Sequence, residues 1–237
     1  MIDNFPVIDK FLQFEEGTFY KFELLVRNTD GENELFPERC SNTNRNILIK
    51  SWYVDTRDYY EKIKHEMITL SNITGARIYI TLDRKDNVKL TQSLIKSYTD
   101  TLVAIVNNQK PGIKKLSKVF ASETSKIENS SKSTKTIMFD IDTSDPIIVG
   151  AVECYFMSKD QRYYNLKTKK GYHCFGYKKF DHSDWENWCI EYLDRECSNF
   201  YEMNKDEIIN MKQKFIETVS VKPNELGLVY HPMKGLE

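Results

Sequence analysis

Ile137-Met138-Phe139-Asp140-Ile141-Asp142 is the most informative stretch of the sequence. Its apolar beginning predicts a buried strand that ends in an Asp-x-Asp pair. Side chains two residues apart on a strand share a face, so we expect Asp140 and Asp142 to point into one site. Two carboxylates this close repel each other unless a positive charge lies between them. The stretch therefore predicts a site for one or two divalent cations.

A second informative stretch, Thr168-Lys169-Lys170-Gly171-Tyr172-His173, lies about thirty residues further along the chain. It predicts a tight turn, in which Gly171 permits a positive φ, followed by a strand that carries His173. Lys169, Lys170 and His173 form a cluster suited to binding anionic oxygens. Carboxylates that hold metal ions beside bases that hold phosphate are the arrangement that phosphoryl or nucleotidyl transfer needs.

The composition is that of a globular protein. The chain has 237 residues, of which 40% are hydrophobic, and this is enough for a sizeable core. No run of about eighteen apolar residues occurs and residues 1–6 lack a basic region, so neither a membrane span nor a signal peptide is expected. Five cysteines without a CxxC pair favour a reducing compartment, and hence the cytoplasm. The net charge of −1 argues neither for nor against nucleic-acid binding.

Apolar periodicity and chain breakers predict strands that alternate with helices. The expected strands are 47–54, 76–82, 137–142, 163–166, 172–175 and 226–230. The expected helices are 56–70, 88–107, one that begins at Pro146, 183–197 and 205–214. In the first of these helices the apolar face is expected to consist of Tyr59, Ile63, Met67 and Leu70. The alternation predicts the α/β class in its α+β form.

Two segments are poor in apolar residues and predict breaks between folded parts. The polar stretch 28–33, which follows the apolar segment 19–26, predicts a loop or hairpin tip. Residues 121–135 are rich in Ser, Lys and Thr and predict a flexible linker or loop. We therefore expect an N-terminal α/β module over residues 1–120 and a second, catalytic module over residues 136–237.

The two informative stretches resemble the first and second motifs of the archaeo-eukaryotic primase superfamily. Phe139 to Asp145 is similar to the Asp-x-Asp motif at a strand end, and Thr168 to Phe175 is similar to the basic Gly turn with a His on the following strand. The likeness covers residues 137–232, with a faint match at Arg77 to Thr81. It implies a two-module core of a primase or primase-polymerase, in which an RRM-like mixed sheet carries both motifs. A composition rich in Lys, Asn, Ile and Tyr favours a phage origin, and thus the host cytoplasm.

The resemblance implies roles for particular residues. Asp140 and Asp142 would be catalytic ligands of two Mg²⁺ or Mn²⁺ ions, and the nearest third carboxylate is Glu217, a Glu one residue closer than the pattern predicts. The implied nucleotide-binding residues are Thr168, Lys170, His173, Lys222 and His231. Arg77 and Arg84 are candidate contacts to nucleic acid. The implied partners are an NTP or dNTP, a single-stranded DNA template and a separate helicase, without a membrane.

Several alternatives remain open at this stage. The unusual third carboxylate also fits a catalytically degenerate relative that binds nucleotide or single-stranded nucleic acid as an accessory or regulatory factor. A haloacid-dehalogenase-type phosphatase would have Thr where Ser144 lies, and its motif would come early in its core. A glycosyltransferase with an Asp-x-Asp metal site leaves the Gly-Tyr-His strand without a role. His182, Cys189 and Cys197 fit no standard zinc pattern, so core or surface positions are expected for them.

Overall fold

The chain forms two β-sheets, and the helices pack against them. A computed structural model describes residues 1–27, 46–107, 109, 116, 118–131, 137–176, 183–223 and 226–232. Every strand pair in these residues is antiparallel. The predicted mixture of helices and strands is confirmed, and its antiparallel pairing makes it α+β. The predicted loop at 28–33 lies outside the described residues.

The first sheet has the strand order β1-β10-β4-β2-β3, with β5 paired to β2. Its strands are β1 (Ile2–Asp3), β2 (Thr18–Val26), β3 (Ile47–Val54), β4 (Arg77–Thr81), β5 (Lys85–Asp86) and β10 (Leu226–His231). The helices of this half are α1 (Phe5–Phe11), α2 (Arg57–Thr74), α3 (Asn87–Val106) and α4 (Val119–Ser125), with a 3₁₀ turn at Ile127–Asn129. The apolar faces of β2 and β4 share one large core with α1 and α2.

The second sheet has the strand order β7-β8-β6-β9. Its strands are β6 (Ile137–Ile141), β7 (Tyr163–Lys167), β8 (Tyr172–Gly176) and β9 (Val219–Pro223), and its helices are α5 (Pro146–Ser158), α6 (Trp185–Asn199) and α7 (Lys205–Thr218). The mixed sheet expected here is antiparallel instead. The hairpin that joins β7 to β8 returns β8 between β6 and β7, so each neighbouring pair runs in opposite directions.

Most predicted elements are confirmed within a few residues, because local signals mark their ends. The Asp145 carboxylate accepts the Ile147 N–H at the start of α5, and α7 begins with a capping box at Asn204. The predicted face of α2 is partly wrong. Tyr60 is buried beside Ile63 and Met67, whereas Tyr59 is 40% exposed, since the buried stripe begins one residue later than predicted.

The described part of the predicted linker 121–135 differs from the expectation, because residues 119–125 are helical. Glu123 is buried and holds this segment against α3 through Ser93 and Ser97. The Ser131 N–H donates to the Arg84 carbonyl at 2.7 Å. Side-chain hydrogen bonds from polar residues therefore stabilise a segment whose composition alone indicated a loop.

The last strand returns to the first sheet. β10 pairs with β4 on one side and with β1 on the other, although it follows β9 of the second sheet in the chain. The first sheet thus contains strands from both sides of the segment that forms the second sheet. Within the described residues, no helix is both long enough and apolar enough to cross a membrane.

Candidate active site between the two sheets

A cleft of about 360 Å³ opens where the two sheets meet. Six of the predicted site residues line it: Arg77, Asp140, Asp142, Thr168, Lys170 and His173. They come from β4, the end of β6, the turn between β7 and β8, and β8 itself. Arg27, Tyr79, Lys169 and Leu228 complete the lining. Residues as far apart in the sequence as Arg27 and Leu228 therefore share one site.

The strand β6 delivers the two carboxylates. Its apolar residues Phe139 and Ile141 lie in the core beneath the second sheet, so the alternate positions face the other way. Asp140 is partly buried, with 15% of its side chain exposed. Asp142 follows the end of β6 and is exposed, and its backbone N–H donates to the Thr218 carbonyl at 2.8 Å. Both side chains line the cleft, as the spacing predicts.

Asp140 lies at the centre of a charged cluster. The strand register places His173 of β8 on one side of it and Ser220 of β9 on the other. Its Oδ2 atom lies 2.5 Å from the Lys222 Nζ atom, and its Oδ1 atom lies 3.5 Å from His173 Nε2. The cation nearest to this carboxylate among the described residues is therefore a lysine ammonium group.

His173 is held in a form that favours the neutral imidazole. Burial lowers the pKa of His173 from its ordinary value, and the nearby positive charges of Lys222 and Arg27 lower it further. The Asp140 carboxylate opposes this shift. The Nδ1 atom is buried and has no hydrogen-bond partner in the described part of the chain. His173 lines the cleft, and a neutral imidazole can either donate a hydrogen bond to a ligand or accept one from it.

The turn between β7 and β8 packs directly against the end of β6. The Thr168 N–H donates to the Gly171 carbonyl at 2.8 Å, and the Gly171 N–H donates to Thr168 Oγ1 at 3.0 Å. A Cβ atom on Gly171 would lie 2.0 Å from the Ile141 carbonyl oxygen. The turn can approach the end of β6 this closely only with glycine at position 171. The positive φ expected for it is wrong, because among the described glycines only Gly17 and Gly75 have one.

The first sheet lines the cleft with two guanidinium groups and an aromatic ring. The Arg27 guanidinium lies 4.9 Å from the centre of the Tyr79 ring, and Arg77 donates to the Tyr79 hydroxyl at 3.4 Å. Tyr79 is buried and links the two arginines. This wall of the cleft attracts anions, whereas the wall formed by β6 repels them.

Asn4 connects the two sheets. Its side-chain amide donates to the Lys167 carbonyl at 2.9 Å and to the Leu228 carbonyl at 2.8 Å. Its side-chain oxygen accepts the Lys167 N–H at 2.9 Å. The residue is only 3% exposed. One buried amide thus joins β7, which precedes the Thr168 turn, to β10, which contributes Leu228 to the cleft.

Four predicted site residues do not line the cleft: Glu217, Lys222, Arg84 and His231. Lys222 nevertheless contacts Asp140, which does. Glu217 is exposed in the last turn of α7 and accepts a hydrogen bond from Gln213 at 2.8 Å. Because α7 ends at Thr218, Ser220 is the residue of β9 that pairs with Asp140. Arg84 is buried and forms an ion pair with Glu15 at 2.7 Å. His231 pairs with Ile2 at the end of β10.

The donor set fits Mg²⁺ or Mn²⁺ that arrives with phosphate. In the part of the chain that the structure describes, no three His, Cys, Asp or Glu side chains come together as a metal site. Mg²⁺ is commonly held by one or two carboxylates, with the remaining ligands supplied by phosphates and water. Asp140 and Asp142 supply this number of carboxylates.

Arg27, Tyr79 and Leu228 line the cleft but are not among the predicted site residues. All nine residues of β2 are buried, so the strand shows no exposed face that would indicate a site at its end. A register with Leu25 opposite Arg77 brings Arg27 near the site, and this register depends on contacts across the sheet. An Arg directly after an apolar strand is the available signal, and it is a weak one.

Comparisons of the chain with protein-family models, with curated proteins and with solved structures give no match. The geometry of the cleft is therefore the observation from which a function is inferred.

Proposed function

We propose that this protein is a template-directed nucleotidyltransferase of the primase or primase-polymerase type, which adds NTP or dNTP to a nucleic-acid chain. The observation that carries the proposal is one cleft in which Asp140 and Asp142 lie beside Thr168, Lys170 and His173, opposite a wall with Arg77. The carboxylates can hold divalent cations, and the basic groups can hold phosphates. A nucleoside triphosphate bound with Mg²⁺ matches both groups, because it brings a divalent cation for the carboxylates and phosphates for the basic side chains.

In this proposal each side chain has a defined task. Lys170 and His173 bind the nucleotide's phosphates, and Thr168 stabilises the turn that presents Lys170. Asp140 and Asp142 orient the divalent cations, which when bound would stabilise the charge that develops on the attacking and leaving oxygens. Arg77 binds a phosphate of the nucleic acid from the first sheet. The proposal includes a separate helicase as partner.

The topology of the second sheet also supports the proposal. Its elements follow in the order β6-α5-β7-β8, then two helices and β9, and its strand order is β7-β8-β6-β9. This is a βαββαβ arrangement with one additional helix, the pattern of ferredoxin-like and RRM-like modules. Asp140 and His173 lie opposite each other on the two central strands.

The test is incorporation of labelled NTPs or dNTPs on single-stranded DNA, with Mg²⁺ or Mn²⁺, with and without a primer. Asp140→Asn with Asp142→Asn should lower incorporation about 10³-fold. The reason is that both carboxylates hold the cations that stabilise the charge on the attacking and leaving oxygens. The control is Asp55→Asn with Asp58→Asn, an exposed pair outside the cleft. Unchanged incorporation in the Asp140/Asp142 variant would refute the proposal.

A second candidate function is nucleotide or single-stranded nucleic-acid binding without turnover, by a catalytically degenerate relative. Two observations favour it. No third carboxylate joins Asp140 and Asp142 in the described residues, and the Lys222 ammonium group already neutralises Asp140. Tight binding of a fluorescent nucleotide or oligonucleotide, combined with no product under Mn²⁺, would select this candidate.

A further inference from the structure

We infer that Lys222 is a placeholder cation: its ammonium group pairs with Asp140 in place of a metal ion until a nucleotide binds. Asp140 then takes up a divalent cation only together with the phosphates of that nucleotide. The inference rests on the proposed function in one respect, namely that the cleft binds a nucleotide's phosphates. It assigns to Lys222 an exchange of partners, from the Asp140 carboxylate to a phosphate oxygen. The preferred ligand of the cleft is then a metal–polyphosphate complex rather than the bare metal ion.

The contacts of Asp140 are the first argument. Lys222 lies 2.5 Å from one oxygen of its carboxylate, and His173 lies 3.5 Å from the other. A metal ion that binds Asp140 must therefore displace or approach a positively charged group. Arg27, Arg77, Lys169 and Lys170 also line the cleft, so its positive charges outnumber Asp140 and Asp142 and disfavour binding of a bare doubly charged ion.

The exposure of the Lys222 side chain is the second argument. Its backbone is fixed, because β9 pairs with β6 and Lys222 lies opposite Met138. The side chain is nevertheless 37% exposed, whereas that of Asp140 is 15% exposed. An ammonium group on a four-carbon stem can change partners by rotation of its own side chain, without movement of the sheet.

A polyphosphate supplies the negatively charged oxygens that the exchange of partners by Lys222 requires. Its oxygens accept the hydrogen bonds that Lys222 withdraws from Asp140, and they complete the ligand set of the metal ion. Lys222 thus weakens binding of the metal ion alone and strengthens binding of the metal ion together with a nucleotide. Lys222 affects the two ligands in opposite directions, which a purely structural ion pair would not do.

The experiment measures two affinities in the full chain. Binding of Mn²⁺ alone is followed by electron paramagnetic resonance of the free ion, and binding of α,β-methylene ATP is followed by calorimetry at saturating Mn²⁺. The variants are Lys222→Met, which keeps the length of the stem, and Lys222→Met with Asp140→Asn. The matched control is Lys159→Met, which removes the partner of Asp184 from a 3.0 Å ion pair outside the cleft. Thermal unfolding verifies that each variant is folded.

Lys222→Met should bind Mn²⁺ alone about tenfold more tightly and the nucleotide about tenfold more weakly, the lower end of what a charge-assisted hydrogen bond contributes. The added Asp140→Asn should remove the gain for Mn²⁺, and Lys159→Met should change neither affinity. Unchanged Mn²⁺ affinity in Lys222→Met would overturn the inference. So would tighter Mn²⁺ binding with unchanged nucleotide affinity, because Lys222 would then be a permanent neutraliser of Asp140.

These outcomes are distinguishable from failure of the proposed function. If the two affinities move in opposite directions while the wild-type chain incorporates no nucleotide, the placeholder role stands and the transfer reaction is refuted. If incorporation depends on Asp140 and Asp142 but Lys222→Met leaves Mn²⁺ binding unchanged, the transfer reaction stands and the placeholder role is refuted.

Discussion

The second sheet brings carboxylates to the cleft, whereas the first sheet brings guanidinium groups. Asp140 and Asp142 have short side chains, so the position of the acidic wall is set by the backbone pairing of β6 with β8 and β9. Arg27 and Arg77 have long side chains, and their positions depend on contacts with Tyr79. Backbone changes should therefore damage the acidic wall together with the fold. Side-chain changes on the basic wall should affect binding with little effect on stability.

The largest effect is expected at the backbone contact beneath the acidic wall. Gly171→Ala should lower the free energy of unfolding by about 4 kcal/mol or more, because its Cβ would lie 2.0 Å from the Ile141 carbonyl oxygen. Urea denaturation measures this change. Gly150→Ala in α5 is the control: nothing lies within 4 Å of its Cβ, and a helical Ala is favoured over Gly by about 0.5–1 kcal/mol. Equal stability of the two variants would show that the turn can move away from β6.

The next largest effect is expected where the sheets are joined. Asn4→Ala removes three side-chain hydrogen bonds to backbone groups of Lys167 and Leu228, and should cost about 3 kcal/mol in unfolding free energy. It should also lower nucleotide binding, since this contact joins β7, which leads into the Thr168 turn, to β10, which contributes Leu228 to the cleft. Asn199→Ala, at an exposed position, should change stability by less than about 0.5 kcal/mol. A loss of binding without a loss of stability would mean that Asn4 contacts the ligand instead.

A smaller effect, confined to binding, is expected on the basic wall. Arg27→Ala should weaken binding of a fluorescent single-stranded oligonucleotide about tenfold and reduce the salt slope of the affinity by about 1, as expected for one lost phosphate contact. Fluorescence anisotropy at several salt concentrations measures both quantities. Arg195→Ala, an exposed arginine that pairs with Glu196, is the control. If the two variants bind alike, Arg27 does not contact nucleic acid.

The smallest effect concerns the helical segment beside the first sheet and depends on pH. Burial would raise the pKa of Glu123, but hydrogen bonds from Lys126, Ser93 and Ser97 outweigh it and lower the pKa to about 2. The folded protein therefore holds this carboxylate ionised where the unfolded chain protonates it. Its contribution to stability is complete above the ordinary Glu pKa and is lost as the pH falls towards 2.

Denaturation at a series of acidic pH values measures this contribution. Glu123→Gln should remove part of the loss of stability on acidification, whereas Glu128→Gln, at an exposed neighbouring position, should leave the pH profile unchanged. Identical profiles for the two variants would mean that Glu123 does not fix α4 against α3.

The acidic wall could be predicted from sequence because its signals are local. The alternation in residues 137–142 places Asp140 and Asp142 on one face, and the Gly turn before His173 is visible in six residues. The helix that begins at Pro146 is marked by the cap at Asp145. Short-range patterns of this kind depend only on neighbouring residues.

The sequence indicates only Arg77 of the basic wall, because the rest of this wall depends on contacts between distant segments. Arg27 joins the site through the register of β2 with β4. The resemblance implies Glu217 as the third carboxylate, but α7 continues to Thr218 and leaves its side chain exposed. The structure of residues 119–131 depends on Glu123 reaching across to α3, which composition does not reveal.

The return of β10 to the first sheet has a consequence for the order of assembly. During synthesis the N-terminal strands are made first, yet β4 and β1 acquire the strand between them only after all of the second sheet has been made. Pairings between residues so far apart in the chain form slowly, because a long loop must close first. The amide contact of Asn4 with Leu228 belongs to the same late event. A nascent chain should thus hold its acidic residues in the second sheet before any pocket exists, and ligand binding should report completion of the fold.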